Sequence, residues 1–306
     1  MRTLIDKFIT TPLVGVDLGS SVLKVVEVTR AEGRVTLERC AVGELEGEDA
    51  ARLMKRLLTR AGITTPHVVL GIASPEVIVR PFQFPPMPKK ELKHAIQLEA
   101  EQAILNGHTP DEMAIDWHLF ECSSKELMRG LLAVVPKSLL SSRLEWARNA
   151  GLRPTVVDVE GLALWNAYWT LLGSREATPK TVLLVNIGKS KTNFVIAKGP
   201  DDLILIRDLH LGGQAVSQGQ GKEWALEVRD SLAYARSHGL RTVDAVYVTG
   251  GGSRQDLKGL LESTVSAPVE FWNPLKNVVR GPGLTIEESV GPLLAIAIGL
   301  ALRHPT

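Results

Sequence analysis

The sequence predicts an α/β protein of two similar lobes, with a smaller module of strands and helices inserted in the first lobe. Segments typical of strands and helices alternate along most of the 306 residues, which favours the α/β class. A strand, a glycine-containing turn and a second strand open the chain as VGVDLGSSVLKVVEV, and the pattern recurs as LLVNIGKSKTNFVIA. Between these two copies the composition changes at the proline-rich stretch PFQFPPMP, which indicates an insertion.

The composition is that of a folded, soluble protein, with 44% hydrophobic and 23% charged residues. The 35 Lys and Arg residues nearly balance the 34 Asp and Glu residues, and the net charge of +1 predicts no attraction to nucleic acid. Cys40 and Cys122 are the two cysteines of the chain. So few cysteines argue against a disulfide framework and are compatible with a reducing cytoplasm.

Neither end of the chain predicts a transmembrane segment. The apolar run over residues 290–302 is too short to cross a bilayer and contains Pro292. The start, MRTLIDKFITT, lacks the uninterrupted apolar core of a signal peptide. Its apolar residues have helical spacing, so we expect a short amphipathic helix that either packs on its own domain or docks on a partner or membrane surface; these residues are Leu4, Ile5, Phe8 and Ile9.

The first lobe is predicted over residues 12–74 and 155–174. After the opening hairpin we expect a third strand at residues 34–45, an amphipathic helix at 48–62 and a buried strand at 67–73. The segment RPTVVDVEGLALWNAYWTLLG then adds a strand and a helix.

The inserted module is predicted over residues 75–154. An extended segment leads through a proline-rich bend into a helix at residues 90–105, and Pro88 directly before that helix costs no hydrogen bond. Strands at 113–121 and 130–137 and the helix SLLSSRLEWARNAGL complete the module.

The second lobe is predicted over residues 180–306, after the polar, turn-rich junction at 175–180. Its repeated hairpin is followed by helices at residues 222–238, 254–264 and 287–303, with the strands VDAVYVT and PVEFW between them. Two similar lobes predict a cleft between them, which is a common position for a ligand.

The opening turn contains more than a hairpin needs. A plain two-stranded hairpin requires only turn-forming residues. Here Asp17, Gly19, Ser20 and Ser21 combine a carboxylate, a small residue and two hydroxyls. Backbone N–H groups and hydroxyls can bind phosphate oxygens, and a carboxylate can hold a metal ion or its water molecules.

These segments resemble a known superfamily. DLGSS with Lys24 is similar to the first phosphate loop of the actin-like ATPases, NIGKSKT to the second and VTGGGSR to the adenosine loop. The insertion resembles those of FtsA and of the PilM family of type IV pilus assembly proteins. RPFQFPPMPKKELKHAIQLEAEQAI, VVDVEGLAL and AIAIGLALR are similar to the PilM family. The resemblance implies a two-lobed actin-like (ribonuclease H-like) fold with an inserted α+β subdomain.

The resemblance also implies a nucleotide site between the lobes, although each loop by itself could be a tight turn. The implied residues lie in turns and at strand ends. They are Asp17, Gly19, Ser20, Ser21 and Lys24 in the first loop; Asp158 and Glu160 on the connecting strand; Asn186, Gly188, Lys189 and Thr192 in the second loop; and Gly250, Gly251 and Gly252 in the adenosine loop.

Two departures from the superfamily predict a degenerate cleft. The second loop begins with Asn186 instead of Asp, and an amide is a poor ligand for a hard cation and cannot act as a base. The lid subdomain, expected after Gly212 and Gly213, is reduced to residues 213–222. Family resemblance implies ATP and Mg²⁺, but these departures predict weak or absent ATP binding, no metal site, no catalytic residues and no hydrolysis.

With catalysis discounted, we expect a scaffold at the inner-membrane platform of a type IV pilus or related secretion system. The resemblance implies that it lies in the cytoplasm and binds the cytoplasmic tail of a PilN-like membrane protein in a groove between the core and the inserted module. Self-association and other platform partners stay open. So do two alternatives, an FtsA-like division filament and a small-molecule kinase. The groove residues are predicted on the extended segment and helix of the module, and they are Val79, Arg80, Phe82, Phe84, Leu92, Ile96, Glu99 and Glu101.

Overall fold

The computed structural model describes residues 12–31, 33–104, 109–120, 127–175 and 180–303. The predicted N-terminal helix at residues 4–9 and Cys122 lie outside these ranges. Within them, no helix combines the length and the apolar character needed to cross a bilayer.

Strands and helices alternate along the described chain. The strands are β1 (Leu13–Leu18), β2 (Val22–Ala31), β3 (Arg34–Glu44), β4 (His67–Ile72), β5 (Ile78–Phe84), β6 (Met113–Leu119), β7 (Met128–Pro136), β8 (Arg153–Val159), β9 (Thr181–Ile187), β10 (Thr192–Lys198), β11 (Leu203–Leu209), β12 (Ala245–Thr249), β13 (Val269–Phe271) and β14 (Val279–Arg280). The helices are α1 (Ala50–Ala61), α2 (Lys89–Ala103), α3 (Lys137–Asn149), α4 (Glu160–Leu171), α5 (Gly213–Ser217), α6 (Gly221–Ser237), α7 (Asp256–Val265) and α8 (Ala295–Ala301).

Two sheets repeat the same topology. The first sheet has the order β14-β3-β2-β1-β4-β8, and the second has the order β11-β10-β9-β12-β13. In each sheet, three consecutive strands pair in antiparallel fashion, β1 to β3 in the first sheet and β9 to β11 in the second. Two further strands continue each sheet in parallel from the first strand of its hairpin: β4 and then β8 beside β1, and β12 and then β13 beside β9. The repeated hairpins of the sequence therefore occupy equivalent places in two similar sheets, and β14 extends the first sheet at its edge.

Helix α1 shows how local sequence sets the ends of an element. Asp49 caps its N-terminus, because the carboxylate accepts a hydrogen bond from the backbone N–H of Arg52 at 2.9 Å. Gly62 ends it in the left-handed region with φ of 67°, where a glycine is favoured. Leu53, Met54 and Leu57 face the first sheet and are buried, as the amphipathic pattern predicts.

Between residues 209 and 221 the chain forms only the short helix α5 before α6 begins. No lid subdomain is therefore present at this position, all of whose residues the structure describes. The backbone N–H of Gly213 donates to the carbonyl of Gly188 at 2.9 Å, which ties α5 to the second loop.

The end of the chain returns to the first lobe. The expected helix at 287–303 is a 3₁₀ segment over Glu288–Leu294 followed by α8, because Pro292 lacks the N–H that a continuous α-helix requires. Helix α8 packs on β1 and on α4. Both contacts need glycine: a Cβ at Gly15 would lie 2.1 Å from the carbonyl oxygen of Ala297, and one at Gly299 would lie 1.9 Å from that of Ala163.

The inserted module forms the third sheet, with the order β5-β7-β6, and α2 covers it. Its core is a small cluster that includes Phe82, Leu92 and Leu132. The edge strand β5 lies beside β11 of the second lobe. Arg129 of β7 forms an ion pair with Asp202 at 2.9 Å, so two strands of the module contact the second lobe.

We expect Gly299→Ala to destabilise the protein by about 3 kcal/mol, because the added methyl group would collide with the backbone of α4 and force the two helices apart. Gly259→Ala on α7 is the matched control, since a Cβ there meets nothing within 4 Å. It should stabilise α7 by about 0.5–1 kcal/mol. Urea unfolding of both variants measures the difference, and equal stabilities would contradict the close packing of α8 on α4.

Candidate functional site

The first loop holds a buried ion pair. Asp17 at the end of β1 and Lys24 in β2 are direct cross-strand neighbours in the opening hairpin. The Nζ of Lys24 lies 2.9 Å from Oδ2 of Asp17, and the carboxylate is buried. A Cβ at Gly19 would lie 2.7 Å from the same Nζ, so glycine in the turn gives this ammonium its place.

A row of polar side chains crosses the second sheet at the equivalent position. Asn186 of β9, Asn193 of β10 and Asp208 of β11 are cross-strand neighbours in the ladder. The Nδ2 of Asn186 donates to Oδ1 of Asn193 at 2.7 Å, and the Nδ2 of Asn193 donates to Oδ1 of Asp208 at 2.8 Å. Asn186 therefore starts a chain of hydrogen bonds that ends on a buried carboxylate.

Glu160 connects the two lobes. It is the first residue of α4 and is 3% exposed. Its Oε2 lies 3.0 Å from Nζ of Lys191, in the turn between β9 and β10, and 3.4 Å from Nδ2 of Asn193. Its Oε1 is buried and has no hydrogen-bond partner among the described residues. A first-lobe carboxylate is thus neutralised by a second-lobe ammonium.

Burial controls the protonation of these acids. Burial raises the pKa of Asp17 against the opposing charge of Lys24. At Glu160 burial also acts to raise the pKa, but Lys191, Lys24 and Arg143 together lower it. Burial raises the pKa of Asp208 to about 6, although the charge of Lys191 and the hydrogen bond from Asn193 act to lower it. The positive charges therefore favour Glu160 as the ionised group of the cluster.

Asp158 lies apart from these contacts. Its Oδ1 accepts from the backbone N–H of Val159 at 3.0 Å, and its Oδ2 lies 3.7 Å from Nε of Arg303 after α8. Burial raises its pKa, and Arg303 opposes that effect. Asp158 thus joins the end of the chain to β8.

The two predicted phosphate loops touch each other. The hydroxyl of Ser190 donates to the hydroxyl of Ser20 at 2.9 Å, across the cleft. The backbone N–H of Gly188 donates to Lys191 within its own turn at 2.9 Å. Ser21 is half-buried and Lys189 is exposed at this rim. A phosphate group between Ser20 and Ser190 would have to separate them.

Thr192 faces the interior of the second lobe. It is fully buried, and its hydroxyl donates to the carbonyl of Leu211 at 2.8 Å and accepts from the indole N–H of Trp224 at 3.1 Å. Thr192 therefore does not face the cleft between the lobes.

Two of the three glycines of the expected adenosine loop, Gly250 and Gly252, are required by the protein's own backbone packing. A Cβ at Gly250, where φ is 95°, would lie 2.4 Å from the carbonyl oxygen of Ile187. One at Gly251 would meet Leu293 at 2.5 Å, and one at Gly252 would meet the carbonyl oxygen of Gly188 at 2.7 Å. Close backbone packing thus accounts for Gly250 and Gly252 without a ligand.

The carboxylates do not fit a divalent cation. The nearest charged partners of Asp17 and Glu160 are lysine ammonium groups, which would repel a cation. The polar side chain at residue 186 is a neutral amide already bonded to Asn193. Among the described residues, no group of three Asp, Glu, His or Cys side chains is arranged to hold a metal ion.

The predicted groove residues divide into two sets. Val79 packs into the core shared by the lobes, while Phe82, Leu92 and Ile96 form the core of the module. Leu92 is 1% and Ile96 is 2% exposed, so neither lines an open groove. Solvent reaches the other predicted residues, which are Arg80, Phe84, Glu99 and Glu101.

A separate open cavity of about 520 Å³ lies between α1 of the first lobe and α3 of the inserted module. Its lining residues are Asp49, Ala51, Arg52, Lys55 and Asn149. Two cations, a carboxylate and an amide therefore surround a small apolar side chain. This cavity occupies the boundary between core and module, where the groove is expected.

Sequence reasoning missed several contributors to the site, namely Ser190, Lys191, Asn193, Asp208 and the residues of the α1–α3 cavity. Asn193 and Asp208 carried a signal, because each interrupts an apolar strand, TNFVIAK or LILIRDL. A polar side chain inside a buried strand requires a partner. Pairing these two strands in register would have brought both residues beside Asn186.

The raised pKa of Asp208 predicts the pH dependence of stability. An acid whose pKa is raised to about 6 stabilises the folded state below its unfolded value of 3.8, and this contribution is lost as the pH rises through 6. Asp208→Asn removes this pH dependence, so between pH 4 and pH 7.5 the free energy of unfolding of the variant should rise by about 2–2.5 kcal/mol relative to that of the wild type. Urea unfolding at both pH values tests this. The exposed Asp230→Asn variant on α6 is the control, and equal pH profiles for all three proteins would refute the prediction.

Comparisons with known proteins agree with this architecture. A solved PilM-PilN type IV pilus biogenesis complex contains a chain that is 28% identical, with a TM-score of 0.80 over 96% of this chain and 98% of that chain. The ethanolamine utilization protein EutJ from Carboxydothermus hydrogenoformans is 14% identical, with a TM-score of 0.52 over 95% of this chain and 89% of that chain, and shows the fold alone. Together with the repeated topology of the two sheets, these similarities confirm the predicted two-lobed actin-like fold.

The profile of the family described as type IV pilus assembly protein PilM matches residues 15–231. That range includes the two predicted phosphate loops, the inserted module and Glu160. The chain therefore belongs to the PilM family of type IV pilus assembly proteins.

Proposed function

We propose that this protein is a cytoplasmic scaffold of the inner-membrane assembly platform of a type IV pilus or related secretion system. In this role it binds the cytoplasmic tail of a PilN-like membrane protein and is held at the membrane through that partner. The observation that supports this most directly is the similarity, over nearly the whole chain, to a solved complex of PilM with PilN.

The α1–α3 cavity is the candidate docking site for the tail. It lies between the first lobe and the inserted module, so both must keep their relative position for a peptide to bind there. Arg52 and Lys55 can donate to peptide carbonyls or to an acidic side chain, and Asn149 can both donate and accept. Polar groups of this kind fix the direction of an extended peptide, while Ala51 leaves room for an apolar side chain.

The surface of β5 and α2 is the competing site. Arg80 and Phe84 belong to the edge strand β5, and Glu99 and Glu101 belong to the helix α2. Phe84 stacks on Phe82 with a distance of 5.2 Å between ring centroids. Because β5 lies beside β11, a tail that paired with this edge would have to separate the module from the second lobe.

The contacts in the cleft support a protein that binds its partners without hydrolysing ATP. Its two loops are in contact through Ser20 and Ser190, its acids are paired with lysines, and α5 provides no lid. A bound nucleotide would gain little buried area without a lid and would have to disrupt these contacts. The chain's own residues therefore favour a closed cleft over a phosphate site.

We expect the charge-reversed variant Arg52→Glu/Lys55→Glu to bind the tail peptide of the cognate PilN-like protein at least tenfold more weakly than the wild type. The reversal replaces donors with acceptors at the cavity. Arg60→Glu, on α1 but outside the cavity lining, is the control and should bind within about twofold of the wild type, as expected for a charge at the rim of an interface. Fluorescence anisotropy of a labelled peptide gives the affinities. Loss of binding in Arg80→Ala or Glu99→Ala instead would assign the tail to the β5–α2 surface.

ATP with Mg²⁺ should bind weakly or not at all, and no phosphate should be released above background. Isothermal titration calorimetry measures the binding, and a coupled assay for ADP release measures turnover. Binding at submicromolar nucleotide together with turnover would overturn the proposal for the cleft and leave the docking proposal to its own test.

A further inference from the structure

The contacts across the cleft come from the protein's own side chains. Lys191 of the second lobe reaches Glu160 of the first lobe at 3.0 Å, and Asn193 reaches the same carboxylate at 3.4 Å. The hydroxyl of Ser190 in the second lobe donates to the hydroxyl of Ser20 in the first lobe at 2.9 Å. One ion pair and neighbouring hydrogen bonds thus join the lobes where a ligand would otherwise lie.

The charges of this cluster are balanced internally. Three buried carboxylates, those of Asp17, Glu160 and Asp208, are accompanied by the cations of Lys24, Lys191 and Arg143. Arg143 also donates to the carbonyl of Leu18 at 3.4 Å, beside the first loop. A buried carboxylate without a positive partner is strongly unfavourable, so these cations stabilise the buried acids of the cluster.

Lys191 differs from Lys24 in one decisive respect. Lys24 pairs with Asp17 of its own hairpin, so that pair forms whether the lobes are open or closed. Lys191 and Glu160 belong to different lobes and are 31 positions apart in the chain, and they meet only when the lobes are closed. The side chain of Glu160 is 4% exposed, which leaves water little part in neutralising it.

We propose that Lys191 is a built-in clamp that holds the two lobes closed and that replaces, for Glu160, the positive charge that a divalent cation would otherwise provide. The proposal rests on the proposed loss of the nucleotide function and deepens it: the closed cleft requires neither nucleotide nor metal. Lys191 is thus a positioning residue for the two-lobed frame on which the α1–α3 cavity and the inserted module are mounted.

The test compares Lys191→Met with Lys198→Met in the full chain. Lys198 ends the same hairpin and is exposed, so its replacement removes an equal charge without touching the cleft. In Lys191→Met the unfolding equilibrium constant should rise at least tenfold. Amide hydrogen exchange should accelerate at residues 18–22 and 187–192, the two loops that the clamp joins. In Lys198→Met both quantities should stay at the wild-type values.

The double variant Glu160→Gln/Lys191→Met removes the charge of both partners. It should recover at least half of the lost stability, because no buried carboxylate is left unpaired. The double variant also tests the proposal if Lys191→Met does not fold. A folded double variant would show that Lys191 is needed to neutralise Glu160, and an unfolded one would show that Lys191 has another role and would overturn the proposal.

The metal is tested separately on the wild type without nucleotide. The thermal midpoint should be the same in EDTA as in millimolar MgCl₂ or CaCl₂. A thermal midpoint that rises with either cation would overturn the clamp. So would amide hydrogen exchange at residues 18–22 and 187–192 that is as slow in Lys191→Met as in Lys198→Met. Turnover of ATP by the wild type would instead contradict the proposed scaffold role while the exchange rates of the nucleotide-free variants still report on the clamp.

Discussion

The burial of acidic side chains between two lobes is the constraint on which the rest of this structure depends. Asp17, Glu160 and Asp208 lie at the ends of strands and a helix that converge on the cleft. Carboxylates in such a place must be neutralised or protonated, and each alternative determines local structure. Lys24 neutralises Asp17 within one hairpin, Lys191 neutralises Glu160 across the lobes, and Asp208 has a pKa raised to about 6.

Close backbone packing supports the same closure. Helix α4 begins at Glu160 and lies between the two sheets, where its side chains join a core drawn from both lobes. Helix α8 reaches it because Gly15 and Gly299 allow the backbones to approach. The glycines after β12 likewise let that loop lie on the second loop. Features that resemble a nucleotide pocket in the sequence therefore also serve the packing of the protein itself.

A closed frame gives the surfaces of this PilM-family protein fixed positions. The α1–α3 cavity is shared by the first lobe and the inserted module, and the module also contacts the second lobe through β5 and Arg129. A partner tail in that cavity would contact the module and the core together, so its binding would depend on their relative position. The proposed scaffold role thus follows from a rigid arrangement of parts and requires no chemistry in the cleft.

The sequence by itself determined the α/β class, the two repeated hairpins and the inserted module, because strand and helix periodicity and turn residues are local properties. It also indicated the missing lid, since too few residues follow Gly213 to build one. Only the tertiary structure decided that Lys191 meets Glu160, that Leu92 and Ile96 are core residues and that α8 packs on the first lobe. Those contacts join segments far apart in the chain, and periodicity carries no information about which distant segment covers an apolar face or neutralises a charge.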